Sequence, residues 1–253
     1  MIDIHAHILP GMDDGPQTLE ESLAMLEVAV AYGTTDIVAT PHANLQYAFD
    51  PELADGKIAE LRRAAQGKIR IHRGCDFHLS YDNIQDALAR PAKYTVNGKK
   101  YLLVEFSELL IAKTTNDIFA RMQAAGITPV ITHPERNIQL HRRLEQIEQW
   151  VAAGCLVQVT AQSLLGKFGK PAREFAEELL RRRLVHVVAS DAHDAKRRPP
   201  RLDQAFELVA HKFGPRRAER LFLLNPGAVI AGVCLEPDDT EEFRPRKWYQ
   251  FWG

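Results

Sequence analysis

A chain of 253 residues holds one large domain or two small ones. Its 45% hydrophobic and 26% charged composition belongs to a globular protein and excludes a disordered one. With 32 basic residues against 33 acidic ones, the formal net charge of -1 excludes a bulk electrostatic pull toward nucleic acid.

The first strand is predicted at residues 1–4 of MIDIHAHILPGMDDG, a stretch without the basic segment and apolar run of an export signal. Thr18-Leu19-Glu20-Glu21 fits a helix capping box; Leu23, Leu26 and Val30 follow at helical spacing, and Gly33 ends the helix. Strands follow at 36–39 and 68–72. Residues 80–100 depart from the pattern, with a short helix and an Asn97-Gly98 turn. Further strands are predicted at 101–105, 128–132, 156–160 and 185–189, with Ala125-Gly126 and Ala153-Gly154 closing the helices between them. From residue 237 the chain reads PDDTEEFRPRKWYQFWG, an acidic run followed by a basic-aromatic end with no core-forming period. The expected organisation is a domain at 1–236 and a tail at 237–253.

These strands are nearly all apolar, as strands covered on both faces must be. Regular alternation of strand and helix indicates an α/β fold with a parallel sheet. No GxGxxG or GxxxxGK[ST] occurs, so a closed barrel is expected rather than an open doubly wound sheet. Cys75, Cys155 and Cys234 form no CxxC pair, which points to a reducing compartment. No run approaches the roughly 18 apolar residues of a membrane span. A cytoplasmic protein is expected.

Six of the seven predicted strands finish in a residue able to bind metal. His5 and His7 end the first, His42 follows the second, and Asp76 follows the third. Glu105 and His133 end the fourth and fifth, and Asp191 and His193 follow the seventh. A parallel barrel opens all its strand C-termini on one face, where barrel enzymes keep their active sites. Any one of these residues alone reads as an ordinary hydrogen-bonded side chain. Together, with few Lys or Arg at the same strand ends, they would cost several kcal/mol of desolvation unless cations neutralised them. Mixed imidazole and carboxylate donors suit Zn, Mn or Fe rather than Ca, and so many donors exceed what one ion can take. Arg136 stands three residues after His133, where it could pair with Glu135 or a neighbouring loop. No cysteine begins a CxxxxxR phosphate loop, which excludes cysteine-based phosphatase chemistry.

The segments MIDIHAHILPGMDDGP, TPHAN, LVEFSE, ITHPERN and HVVASDAHDAKRRPPRL resemble the polymerase and histidinol phosphatase (PHP) superfamily. The match is closer to its bacterial metal-dependent protein-tyrosine phosphatases of capsule and exopolysaccharide synthesis. That resemblance implies a distorted (β/α)7 TIM-like barrel and two or three divalent ions, Mn²⁺ first, with Fe or Zn as alternatives. It implies a first ion on His5, His7, Asp76 and Asp191, and a second on Asp76, Glu105 and His133. A third would sit on Asp14, His42 and His193. Relatives usually carry Glu where this chain has Asp76. Asp13 neighbours Asp14, but the position directly before Gly15-Pro16 is the one that matches. The implied reaction is hydrolysis of phosphotyrosine by a metal-bound hydroxide, with Arg136, Asp191 and His133 catalytic. Arg136 and Arg198 would bind the phosphate, although Arg197 or a solvated basic loop competes with Arg198. The implied partner is a membrane-associated bacterial tyrosine kinase. Rival readings are a histidinol-phosphate or other small-molecule phosphoesterase, an amidohydrolase, and a metal-stabilised binding module. The amidohydrolase lacks its strand-end lysine here. The aromatic and basic residues of 244–253 suit a weak membrane-surface anchor or packing on the barrel's own helices.

Overall fold

The computed structural model describes residues 1–236, so the tail expected at 237–253 lies outside the described residues. Nine strands occur among them: β1 Ile2–Ala6, β2 Asp36–Ala39, β3 His42–Ala43, β4 Arg70–Arg73, β5 Asp76–His78, β6 Tyr101–Glu105, β7 Thr128–Thr132, β8 Leu156–Thr160 and β9 Val187–Ala189. All pair in parallel, in two ladders ordered β1-β2-β4 and β3-β5-β6-β7-β8-β9.

Two expected strands are each followed by a second, unexpected segment. The second runs as β2 and then β3 across Thr40-Pro41, where proline has no N–H to give a ladder. The third begins at Arg70 rather than residue 68 and runs as β4 and then β5 across Gly74-Cys75. A Cβ on Gly74 would lie 2.7 Å from Val38 Cγ1, so only glycine lets the chain pass this close to β2. At each break the chain leaves one ladder and joins the other. The first strand extends two residues beyond expectation, to Ala6, and the last starts two residues later, at Val187. After β9 the chain returns to β1: Asp191 N–H donates to His5 O at 2.8 Å and His7 N–H to Ala192 O at 2.8 Å. The architecture is a distorted TIM-like barrel of seven staves.

Period-two alternation divides each stave between two cores. Ile4, Val38, Tyr101, Leu103, Val130, Leu156, Val187 and Ala189 fill the barrel interior. Leu102, Val104, Ile131, Val157, Val159 and Val188 face the helices outside. Each fully buried aliphatic side chain contributes roughly 1.5–3 kcal/mol. The helix Asn225–Ala231 sends Val229 into the same interior cluster, and Tyr101 Oη bonds Val233 O at 2.7 Å. Residues 80–100 form the helix Tyr81–Ala89, a further turn Pro91–Tyr94 and a 3₁₀ turn Val96–Gly98. Val96 is buried among the interior residues beside β4 and β6, which do not pair directly.

The capping box holds: Thr18 Oγ1 accepts from Glu21 N, and Glu21 Oε2 accepts from Thr18 N, both at 3.3 Å. The helix it starts, Leu19–Ala31, ends before Gly33 at φ +84°, as the helices Thr115–Ala124 and Leu144–Ala152 end before Gly126 and Gly154 at +82° and +94°.

Candidate metal centre

Alternation also explains which side chains reach the barrel mouth. Tyr101 and Leu103 are interior, so Glu105, next in the same row of β6, points along the axis at its C-terminal end. On β5, Phe77 packs outward, so Asp76 and His78 on either side of it face the axis. Three imidazoles are held by one ring nitrogen with the other directed inward, the arrangement that metal-binding histidines use. His5 Nδ1 meets Gln158 Oε1 at 2.9 Å, His7 Nδ1 meets Asp13 Oδ2 at 2.6 Å, and His193 Nδ1 meets Asp191 O at 3.1 Å.

The adjacent aspartates divide accordingly. Asp13 is buried; besides His7 it accepts from Gly15 N at 3.0 Å and His42 N at 3.0 Å, tying two loops together. A Cβ on Gly15 would lie 2.7 Å from His7 O, so this turn closes only with glycine. Asp14 is half-exposed, and its Oδ1 lies 3.5 Å from His42 Nε2 and 3.4 Å from His193 Nε2.

The inward atoms converge. His5 Nε2 and His7 Nε2 are 3.4 Å apart, and Asp191 Oδ1 is 3.5 Å from each. Asp76 Oδ2 is 3.7 Å from His5 Nε2 and 3.0 Å from His42 Nδ1. Glu105 Oε2 is 3.6 Å from His42 Nδ1 and in direct contact with His78 Nε2, whereas Glu105 Oε1 is 3.6 Å from His133 Nε2. Three overlapping groups could each hold an ion: His5, His7 and Asp76; His7, Asp14, His42 and His193; and His42, Asp76, His78 and Glu105. Seven of the nine expected residues fall in these groups, and Asp191 and His133 stand beside them. Beside Asp76 and Glu105 stands His78, while His133 sits on the far oxygen of Glu105. His78 is not among the residues expected at the site, although Asp76-Phe77-His78 has the same two-residue spacing as His5-Ala6-His7.

The donor set fits cations. Both oxygens of Asp76, Glu105 Oε2, His42 Nδ1 and His78 Nε2 are buried without a hydrogen-bond partner. Desolvated polar atoms in such numbers cost several kcal/mol unless something neutralises them. Mixed nitrogen and oxygen donors match Mn, Fe or Zn. Electrostatics among the residues agree. Burial works against protonated His7, but the Asp13 carboxylate pushes it up to about 9. Burial likewise opposes His42⁺, but Asp14 and Asp76 push that ring up to about 11. Asp191, against burial, is held well below the carboxylate range by His5, His7 and Arg136. Without metal both rings therefore carry a proton at neutral pH, and a metal must expel it. Mn²⁺ binding should release at least two protons, one each from His7 and His42, and its affinity should rise with pH. Titration calorimetry in buffers of different ionisation enthalpy measures this release. A heat independent of buffer would show that these rings are not ligands.

Arginines adjoin the cluster. Arg136 Nη1 donates to Asp191 Oδ2, and Arg198 Nη2 donates to the same oxygen at 2.6 Å and to Asp191 O at 2.9 Å. The Phe168 ring lies 4.5 Å from Arg136 Cζ and 5.8 Å from Arg198 Cζ. Arg198 Nε is buried and without a hydrogen-bond partner, whereas the Arg197 side chain is exposed. The pairing of Arg136 with Glu135 does not form. Glu135 is fully buried, accepts from Thr160 N at 2.9 Å and Ser163 Oγ at 2.7 Å, and burial pushes it up to about 7. His133 and Asp191 adopt positive φ, 32° and 52°, a strain of roughly 1–3 kcal/mol each that clusters at functional sites. Cys75 and Cys155 are buried, and burial raises both thiols, so neither is a nucleophile.

Residues 1–231 match the model of a family described as capsular polysaccharide synthesis, CpsB/CapC. Tyrosine-protein phosphatase CpsB of Streptococcus pneumoniae is 32% identical over 239 residues, covering 91% of this chain and 98% of that protein. Tyrosine-protein phosphatase YwqE of Bacillus subtilis (strain 168) is 35% identical over 234 residues, 91% of each. A crystal structure from work on YwqE and CpsB, there called metal-dependent tyrosine phosphatases, superposes with a TM-score of 0.88 at 30% identity. It covers 97% of this chain and 100% of that one. A β-aspartyl dipeptidase from Fervidobacterium islandicum AW-1 shares the fold alone, with a TM-score of 0.58 at 14% identity over 90% of this chain and 72% of that one.

Proposed function

The chain belongs to the capsular polysaccharide synthesis CpsB/CapC family, and on that premise we propose that it is a metal-dependent protein-tyrosine phosphatase. Its ions would be held by His5, His7, Asp14, His42, Asp76, Glu105, His133, Asp191 and His193. One observation carries the reading: the two oxygens of Asp191 face different groups. Oδ1 lies 3.5 Å from the inward nitrogens of His5 and His7, while Oδ2 anchors Arg136 and Arg198. An anion drawn to the histidine–carboxylate cluster therefore meets two guanidinium groups at its rim.

Hydrolysis of a phosphomonoester needs positioning and charge neutralisation more than covalent work by the protein. Divalent ions, when bound, acidify water near neutral pH and offset charge on the phosphoryl oxygens. The chain's own residues supply the rest. Gln158, Asp13 and the Asp191 carbonyl fix three imidazoles, Arg136 and Arg198 grip the phosphate, and Phe168 covers both guanidinium groups. Two or three Mn²⁺ ions suit the donor set. The substrate we favour is a phosphotyrosine protein, a membrane-associated bacterial tyrosine kinase of capsule synthesis, met by a cytoplasmic enzyme. No helix among the described residues is long and apolar enough to cross a membrane. The basic-aromatic end 244–253 would add weak, reversible contact with anionic lipid.

The test is turnover of a phosphotyrosine peptide and of histidinol phosphate by one Mn²⁺-loaded preparation, with its metal content measured. A kcat/KM higher for the peptide by more than an order of magnitude is expected. The reverse preference would make the protein a small-molecule phosphoesterase.

A further inference from the structure

We propose that His78 is a metal ligand, supplying through Nε2 the imidazole of an ion held by Asp76 and Glu105. The inference rests on the metal-dependent reading of the site and adds a donor to it. His42 is the starting point, because its ring faces two carboxylate groups at once. Its Nε2 lies 3.5 Å from Asp14 Oδ1, while its Nδ1 lies 3.0 Å from Asp76 Oδ2 and 3.6 Å from Glu105 Oε2. A neutral imidazole offers one lone pair, its other nitrogen carrying the proton. His42 can therefore serve the Asp14–His193 side or the Asp76–Glu105 side, not both. If it serves the first, the second needs a nitrogen from elsewhere.

His133 borders that position only through the far oxygen of Glu105. It approaches Glu105 at Oε1, 3.6 Å away, on the oxygen opposite the one that His42 and His78 face. His78 does face it. Its Nε2 touches Glu105 Oε2, and its ring meets that of His42 edge-on, with centroids 5.5 Å apart. Nevertheless neither His78 Nε2 nor Glu105 Oε2 has a hydrogen-bond partner, and the same holds for both oxygens of Asp76 and for His42 Nδ1. These atoms lie close together yet are not aligned to satisfy one another. One donor atom from each of His42, Asp76, His78 and Glu105 lies within 4.8 Å of the others, a spacing that a single cation could bridge. Backbone geometry makes this placement firm: β5 pairs with β6 so that His78 stands opposite Glu105, and both belong to the axis-facing rows. The His78 side chain is 28% exposed while its Nε2 is buried, so the ring spans from the surface to the cluster.

The rival role for His78 is a hydrogen bond that merely orients Glu105. Metal-stripped, full-length protein titrated with Co²⁺ alone separates the two. His78→Ala should weaken the binding of one ion by more than about tenfold while the remaining sites keep theirs. His78→Gln, which keeps a donor for Glu105 but has no imidazole lone pair, should show the same loss. His78→Cys should give a thiolate-to-cobalt charge-transfer absorption that is absent from the wild-type protein, whose three cysteines serve as the blank. Circular dichroism confirms that each variant is folded. Wild-type affinity in His78→Ala, full recovery in His78→Gln, or cobalt uptake by His78→Cys without the new band would each overturn the proposal and leave the rest of the metal centre standing. Failure of the wild-type protein to take up cobalt would overturn both.

Discussion

Chelation should abolish turnover of a phosphotyrosine peptide, Mn²⁺ should restore it, and Asp191→Asn should remain more than about 100-fold down even with Mn²⁺ in excess. Loss of a partner that only supports a ligand costs roughly 10–100-fold, and Asp191 is asked to do more. Its Oδ1 faces the inward nitrogens of His5 and His7, and its Oδ2 accepts from Arg136 and Arg198. An amide of the same shape must turn its NH₂ toward one side or the other. Toward the histidines it presents a donor where a ligand oxygen is wanted; toward the arginines it presents donors to donors. In either orientation the negative charge that both groups need is gone. His133→Ala should also lose most of the rate, since it removes an imidazole whose Nε2 lies 3.6 Å from Glu105 Oε1. Metal analysis alongside kcat/KM separates lost ions from a misplaced phosphate. Full activity of the metal-free protein would refute the mechanism.

Much of this centre was legible because strand ends and side-chain alternation are local properties. His5, His7, Glu105, His133 and Asp191 could be assigned to one face once the βα alternation implied a barrel. What was not legible arises where tertiary contacts bend the chain. The breaks at Thr40-Pro41 and Gly74-Cys75 depend on a second ladder accepting the strand, which no local pattern announces. His78 was hidden for the same reason. With a strand expected to stop at residue 72, residues 76–78 read as loop, where no rule says which way a side chain points. Only the continuation into β5 gives Asp76 and His78 a common face. Asp14 was picked over Asp13 by its place directly before Gly15-Pro16, but the physical difference between them is tertiary: the turn buries Asp13 against His7 and leaves Asp14 half-exposed beside His42 and His193.

Arg136→Lys should reduce kcat/KM nearly as far as Arg136→Ala, by roughly 100-fold, while metal content stays unchanged. The magnitude follows from losing charge-assisted hydrogen bonds to phosphate, about 3 kcal/mol at the upper end of their range. A lysine keeps the charge but presents three donors around a point, whereas the guanidinium holds its donors in one plane. Here that plane is set on both sides. Arg136 Nη1 is tied to Asp191 Oδ2, and the Phe168 ring lies 4.5 Å from its Cζ. An ammonium on a flexible stem would be held by neither contact in the same orientation. Metal content should be spared because Asp191 keeps Arg198 on the same oxygen, and its other oxygen still faces His5 and His7. Steady-state kinetics on both variants, with metal analysis of each, makes the comparison. If lysine restores full turnover, Arg136 supplies charge alone and the planar grip on phosphate is wrong. If both variants lose metal as well as rate, Arg136 acts by holding Asp191 in place rather than by meeting the substrate.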